Sequence, residues 1–290
     1  MSAPEGLLLL DKPSGITSHD VVDRVRRALG TRKVGHAGTL DPLATGLLLV
    51  GVGRATRLLR FLSDLPKTYE GTALLGVETD TLDADGAEVR RADVDVERPA
   101  LEAAVAARVG SSMQVPPAYS AVKVGGRALH QAARKGEELR AAPRQIVVHS
   151  FTVGRFDGER FDFEVTCSSG TYVRVLAADV GAELGCGAHL LRLVRTRIGP
   201  FDLAEAGSPD EPGVPLPIER AVAHLPRLEL EHEEAVAAGH GRVLGPAGLE
   251  GPYGVFAPGG SLIGVYRDDG AKARPEVILA PSVDGAPSGH

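Results

Sequence analysis

The run Gly35-His36-Ala37-Gly38-Thr39-Leu40-Asp41-Pro42-Leu43-Ala44-Thr45-Gly46 restricts the fold more than any other part of this chain. Its glycines deny it a stable helix, and its polar centre denies it a buried strand. Glycine also permits turns and close backbone approaches that a Cβ forbids. Pro42 biases the residue before it, Asp41, toward extended backbone. Leu47-Leu48-Leu49-Val50 follows at once, an apolar run of buried-strand type. The expected arrangement is a stiff loop that presents one carboxylate, Asp41, and feeds directly into the core. Scaffolds present reactive groups in this way. The same composition also serves a plain turn in which Asp bonds nearby backbone.

Other signals give a coarse element map. Leu7–Leu10 reads as a buried strand that stops at Pro13-Ser14-Gly15. Thr17 with Asp20 three residues on is a capping box. Val21, Val22, Val25, Ala28 and Leu29 then keep helical spacing up to Gly30, a C-terminal stop. A short helix is expected over 54–62, a strand over 68–77, a helix over 98–109 opened by Pro99, and a helix over 173–184. Residues 151–156 and 160–166 flank Asp157-Gly158, a hairpin turn signal. Residues 202–217, rich in Pro, Gly and acid, read as a linker. Residues 227–280 hold short apolar runs between Gly, Pro and Asp, the pattern of a small β domain.

At 290 residues the chain has room for one large domain and a small one. No apolar run is long enough to span a bilayer, and no signal peptide is read at the N-terminus. Cys167 and Cys186 make neither a disulfide framework nor a zinc site and are expected as buried thiols in a reducing cytoplasm. The net charge of −6 argues against nucleic acid, but its distribution is uneven. Residues 19–60 carry eight Lys/Arg against three Asp/Glu, and residues 120–145 carry six against two. Residues 80–102 and 205–235 are acidic, with eight acids each. An RNA-binding face built from the two basic segments, with the acidic segments turned away, is consistent with this pattern.

Gly35–Gly46 with the following leucines closely resembles the active-site motif of the TruB family, the tRNA pseudouridine-55 synthases. The resemblance extends in order along residues 6–200: Asp11-Lys12-Pro13-Ser14-Gly15, Lys67-Thr68-Tyr69-Glu70-Gly71, Thr79–Gly86, Val115–Lys123, Cys167–Arg174 and Gly185–Leu190. It implies an α+β pseudouridine synthase fold, a mixed, mostly antiparallel sheet flanked by helices over 1–205, with an RNA-clamping insertion at about 123–144. It also implies a small PUA-like RNA-binding domain over 225–280, and a disordered tail is expected over 281–290. The implied reaction isomerises uridine-55 in the T loop of tRNA and uses no cofactor and no metal. The partner is the T stem-loop of tRNA, with no membrane or protein partner and a monomeric state.

The resemblance also assigns roles. Asp41 is the catalytic carboxylate, acting on a flipped-out base. Arg174 pairs with it, and a guanidinium fork holds a carboxylate in one orientation and favours its charged form. Tyr69 stacks on the target base, Tyr172 and Leu193 line the pocket, and His36 sits near the flipped nucleotide. Lys12 supports the site or touches phosphate, and Asp83 organises the arginine. His19 and His189 are structural. Two other readings remain open at this stage: a tRNA-binding folding chaperone with catalysis secondary, and a glycosidase-like carboxylate pair of Asp41 with Asp83.

Overall fold

Period-two burial decides which way the central sheet faces. In the strand Lys67–Leu75, residues 67, 69, 71, 73 and 75 are buried while 68, 70, 72 and 74 are not. Phe161, Phe163 and Val165 of its neighbour point to the same side. That inner face carries Tyr69 and becomes the floor of the site.

The computed structural model describes residues 4–279 apart from 134 and 138. The first part of the chain runs β1 (Gly6–Lys12), α1 (Ser18–Leu29), β2 (Val34–Ala37), β3 (Thr45–Val52), a 3₁₀ turn, α2 (Leu59–Ser63), β4 (Lys67–Leu75), β5 (Val77–Thr79), β6 (Glu88–Arg91), α3 (Arg98–Ala106) and β7 (Gly110–Gln114). It continues through β8 (Lys123–Val124), β9 (Arg127–Ala128), α4 (Leu129–Ala133), β10 (Arg144–Phe156), β11 (Arg160–Cys167), α5 (Val173–Glu183), β12 (Ala188–Ile198) and β13 (Phe201–Asp202). The main sheet has the order β1-β3-β12-β4-β11-β10-β7, with β2 also on β3 and β13 also on β12. Only the β3–β12 pair is parallel; the others are antiparallel. Helices α3 and α5 cover the inner face around Phe161, Phe163, Leu101 and Leu176.

The capping box forms as expected: the Thr17 hydroxyl accepts from Asp20 N–H, and Gly30 closes α1 in the left-handed region at φ 62°. The strand expected over 68–77 instead breaks at Gly76, with φ 80°. A Cβ there would lie 2.8 Å from the Ala92 carbonyl oxygen, so glycine lets the chain turn into the β5–β6 hairpin. The expected hairpin arm at 151–156 begins earlier, at Arg144, because residues 144–148 pair with β7. The expected linker is not free. Leu216 and Gly207 bond β1 along its outer edge, Leu7 N–H to Leu216 O at 3.0 Å and Asp11 N–H to Gly207 O at 2.9 Å, which satisfies an otherwise open strand edge.

The C-terminal part consists of β14 (Arg227–Glu229), α6 (His232–Gly239), β15 (Pro252–Phe256), β16 (Leu262–Asp269) and β17 (Lys272–Ile278), a four-stranded sheet in that strand order. Phe256, Leu262 and Val277 share a core with Leu7, Leu47 and Phe201 of the first part. Glu276 reinforces the junction by bonding Arg60 at 2.8 Å and also Arg267. The tail expected over 281–290 and Arg134 of the basic segment lie outside the described residues.

Candidate active site

The loop between β2 and β3 is fixed from below by buried donors. The Lys12 ammonium is fully buried and donates to the carbonyls of Ile16 at 2.8 Å, Pro13 at 3.0 Å and Pro42 at 3.3 Å. The Ser18 hydroxyl, also buried, accepts from Leu40 N–H at 2.8 Å and donates to its carbonyl at 3.2 Å. Gly15 N–H reaches Pro42 O at 2.9 Å. The Asp11–Gly15 turn and the Asp41 loop are therefore one unit. Gly46, at φ 99°, closes it: a Cβ there would sit 2.4 Å from the Arg195 carbonyl oxygen, so only glycine lets β3 lie this close to β12.

Asp41 faces Arg174, the second residue of α5. Arg174 Nη1 lies 2.7 Å from Asp41 Oδ2 and 3.1 Å from Asp83 Oδ2, and Nη2 donates to the Tyr119 carbonyl at 2.6 Å. The arginine side chain is 5% accessible and that of Asp41 40%, so the carboxylate opens to the cavity and the guanidinium does not. Asp83 is already occupied. Its Oδ1 accepts from the Thr81 hydroxyl and from Asp85 N–H at 3.2 Å, and its carboxylate is buried. Buried behind Arg174 and absent from the cavity lining, it is not placed to act as a second acid on a substrate, which removes the basis of the paired-carboxylate reading. The acidic segment 80–102 is thus not wholly turned away; its loop brings Asp83 into the site.

Arg174 favours the charged form of Asp41, as expected, but it does not set the net balance. The balance runs the other way: burial raises the Asp41 pKa, Arg174 opposes this, and the Asp83 charge adds to the rise. Desolvation outweighs the single shared guanidinium. A carboxylate with a raised pKa is a stronger base and nucleophile than a free one, while its ion pair keeps it oriented.

The cavity around this pair measures about 370 Å³ and is lined by Asp41, Tyr69, Tyr172, Arg174, Leu193 and Arg195 among others. Tyr69 lies on the inner face of β4 with burial raising its hydroxyl pKa. Leu193 sits opposite Gly71 on β12. Tyr172 precedes α5; Gln114 grips its backbone at both ends, accepting from its N–H at 2.8 Å and donating to its carbonyl at 3.2 Å. Arg144 donates to the Tyr172 hydroxyl at 3.2 Å. The structure thus brings Asp41, Asp83, Arg174, Tyr69, Tyr172 and Leu193 together. His36 is half-buried on β2 opposite Val50 and does not line the cavity. Of the two roles open to Lys12, burial leaves the supporting one and no contact with phosphate. His189 is structural as expected, its Nδ1 2.8 Å from the Val77 carbonyl oxygen.

Two buried cations escaped the sequence reading. Lys67 donates to the Leu65 carbonyl at 2.6 Å and to that of Ser63, and burial lowers its pKa to about 8. Arg195 sits on the cavity floor. The strand 188–198 carries three arginines, Arg192, Arg195 and Arg197, and a bulge between 195 and 197 changes the face to which each residue points, so alternation alone does not single out Arg195. A larger groove of about 1200 Å³ lies between residues 4–5, 214–219 and the C-terminal part. It contains none of these residues, and its Arg54 is already bonded to Glu5 at 2.6 Å. Convergent polar chemistry, not size, marks the smaller cavity as the site.

Comparison with known proteins places the chain in a family. Residues 26–173 match the family described as TruB family pseudouridylate synthase (N terminal domain), and residues 225–280 match tRNA Pseudouridine synthase II, C terminal. The tRNA pseudouridine synthase B of Thermobifida fusca (strain YX) is 46% identical, with 96% of this chain and 99% of that protein covered. The tRNA pseudouridine synthase B of Rhodococcus jostii (strain RHA1) is also 46% identical, over 96% and 94%. Among solved structures, the crystal structure of a Cbf5-Nop10-Gar1 complex superposes with a TM-score of 0.73 at 25% identity, over 94% of this chain and 84% of that one. The fold is that of the pseudouridine synthases, and the chain belongs to the TruB family of pseudouridylate synthases.

Proposed function

We propose that this protein isomerises a uridine of tRNA to pseudouridine, that the target is uridine-55 in the T loop, and that Asp41 is the catalytic carboxylate. The observation that carries this reading is the 2.7 Å Asp41–Arg174 pair at the base of a cavity lined by Tyr69, Tyr172 and Leu193. The relatives named tRNA pseudouridine synthase B support tRNA as the substrate. The C1′–N1 bond of the uridine breaks, the base turns, and a C1′–C5 bond forms. The proton displaced from C5 is made up at N1, so mass and oxidation state are unchanged. Asp41 supplies the negative charge that this exchange needs at the reacting atoms.

The base must leave the folded T loop to reach Asp41. The Tyr69 ring replaces lost stacking, a contact worth about 1–3 kcal/mol, against an extrusion cost of a few kcal/mol. Leu193 supplies an apolar wall, and Tyr172 presents its hydroxyl. Basic residues of the 123–144 segment and the small C-terminal domain, read as PUA-like, hold the tRNA around the site. His36 meets the RNA outside the cavity, beside the opened loop. The protein acts as a monomer on the T stem-loop.

The test is to incubate the protein with T-arm RNA and map pseudouridine by chemical labelling, with Asp41→Asn in parallel. Modification at the T-loop uridine that disappears in Asp41→Asn is the expected result. Modification elsewhere would reassign the target. Full activity in the variant would remove Asp41 from the chemistry, and tRNA refolding with no pseudouridine in the wild type would favour a folding chaperone.

A further inference from the structure

Arg195 is 1% accessible and among the largest fully buried side chains of the protein. Among the described residues no carboxylate pairs with it. Its Nε donates to the Leu47 carbonyl at 2.7 Å and its Nη2 to the Gly38 carbonyl at 3.1 Å. Its third neighbour is Tyr69, directly opposite it across the β4–β12 pair, whose phenol and the guanidinium act on each other electrostatically. These partners are not scattered. Gly38 is where the chain leaves β2, Leu47 is where it has entered β3, and the residues between them are the Asp41 loop. The backbone explains the reach. Arg195 lies opposite Gly46 in the parallel β3–β12 pair and opposite Tyr69 in the antiparallel β4–β12 pair, so one residue stands between loop and tyrosine. The bulge that follows it is the kind of irregularity that re-aims a side chain beside an active site.

We propose that Arg195 is the positioning residue of this site: it closes the two ends of the Asp41 loop together and holds the Tyr69 phenol, fixing the base-stacking ring and the carboxylate in one mutual geometry. This rests on the roles given above to Asp41 and Tyr69. Arg195, 1% accessible on the cavity floor, acts through them. The task needs a planar fork with several donors at fixed angles, which a lysine does not have.

The experiment measures single-turnover and steady-state pseudouridine formation on T-arm RNA by Arg195→Lys, Arg195→Met and Tyr69→Phe, alone and with Arg195→Lys and Tyr69→Phe combined. Displacing a catalytic group by about 1 Å costs on the order of 100-fold. Both Arg195 variants should therefore lose about 10- to 100-fold in kcat, with KM for RNA within about threefold. The losses should be sub-multiplicative with Tyr69→Phe, because once the phenol is gone part of the tether is already cut. Wild-type kcat in both variants would overturn the proposal. So would strictly multiplicative losses, or a fall in folded fraction with kcat per folded molecule intact. Failure of both variants to fold would overturn it too, since the assigned role is in the site and not in maintaining the fold. Asp41→Asn measured alongside separates the two ideas: activity there would remove the reading of Asp41, whatever Arg195 does.

Discussion

The Asp41 loop and the segment 123–144 are neighbours, since Ala121 and Val122, the two residues just before that segment, line the same cavity. Different interactions hold them. Buried donors fix the first from three sides: Lys12 and Ser18 on its middle, Arg195 on its ends. The second opens with the β8–β9 hairpin, whose turn glycines, Gly125 and Gly126, have φ 58° and 82° with open space beside them, before α4 buries Leu129 and Ala132. The ion pair that spans the hairpin side, Arg127 to Glu137 at 2.6 Å, is exposed. Exposed pairs contribute little, whereas buried polar groups are costly to leave unmade. The difference teaches how one pocket reconciles two demands. On the function proposed above, the carboxylate must not move by an ångström, while a surface that met a folded RNA would have to adapt to it.

Breaking the rigid side should give the largest effects. Arg174→Met strips the cation from a buried Asp83 and from Asp41 together; it should cost about 3–5 kcal/mol in a urea melt and nearly all activity. Lys12→Met leaves three carbonyls without their donor and should cost about 1–3 kcal/mol, with kcat falling more than RNA affinity. If the loop tolerated this change, the contrast drawn above would be wrong.

Titration sharpens the same contrast. The proposed role of Asp41 requires its ionised form, and its pKa is raised by burial and by Asp83. Asp83→Asn removes that neighbouring charge, so the acid limb of the rate profile should move to lower pH; an unmoved limb would separate Asp83 from Asp41. Burial also lowers the Lys12 and Lys67 ammonium pKa values from 10.5 to about 8. Between about pH 8 and 10.5 the unfolded chain holds these protons and the folded chain releases them. The unfolded state is then the more protonated, so stability from these groups rises with pH across that window. Urea midpoints from pH 8 to 10 should show the rise, and Lys12→Met should reduce its slope.

The β8–β9 hairpin should answer weakly. Arg127→Gln is expected to change stability by no more than about 0.5 kcal/mol. It should leave kcat intact and lower the salt slope of tRNA binding by about one if Arg127 meets a phosphate. A large stability loss would show that this hairpin is as firmly built as the Asp41 loop.

Much of the fold was legible because its signals are local. The Thr17–Asp20 cap, the Gly30 stop, the Asp157-Gly158 turn and the alternation along 160–167 each need only a few neighbouring residues, and each formed. The break at Gly76 and the early start of β10 were not legible, because they answer to Ala92, Gly187 and β7, far away in sequence. In the site, Asp41, Tyr69, Tyr172 and Arg174 stood in recognisable motifs.

By itself the sequence determined the stiff loop, its single carboxylate and the ordered motifs that mark the family, since glycine, proline and apolar periodicity act through short-range sterics and burial. Only the tertiary structure decided which charges the loop would meet. It joined Lys12 to Pro42, gave Arg174 two carboxylates, and set Arg195 between Gly38 and Tyr69. Burial and distance set the energy of a charge, and both are properties of the folded chain.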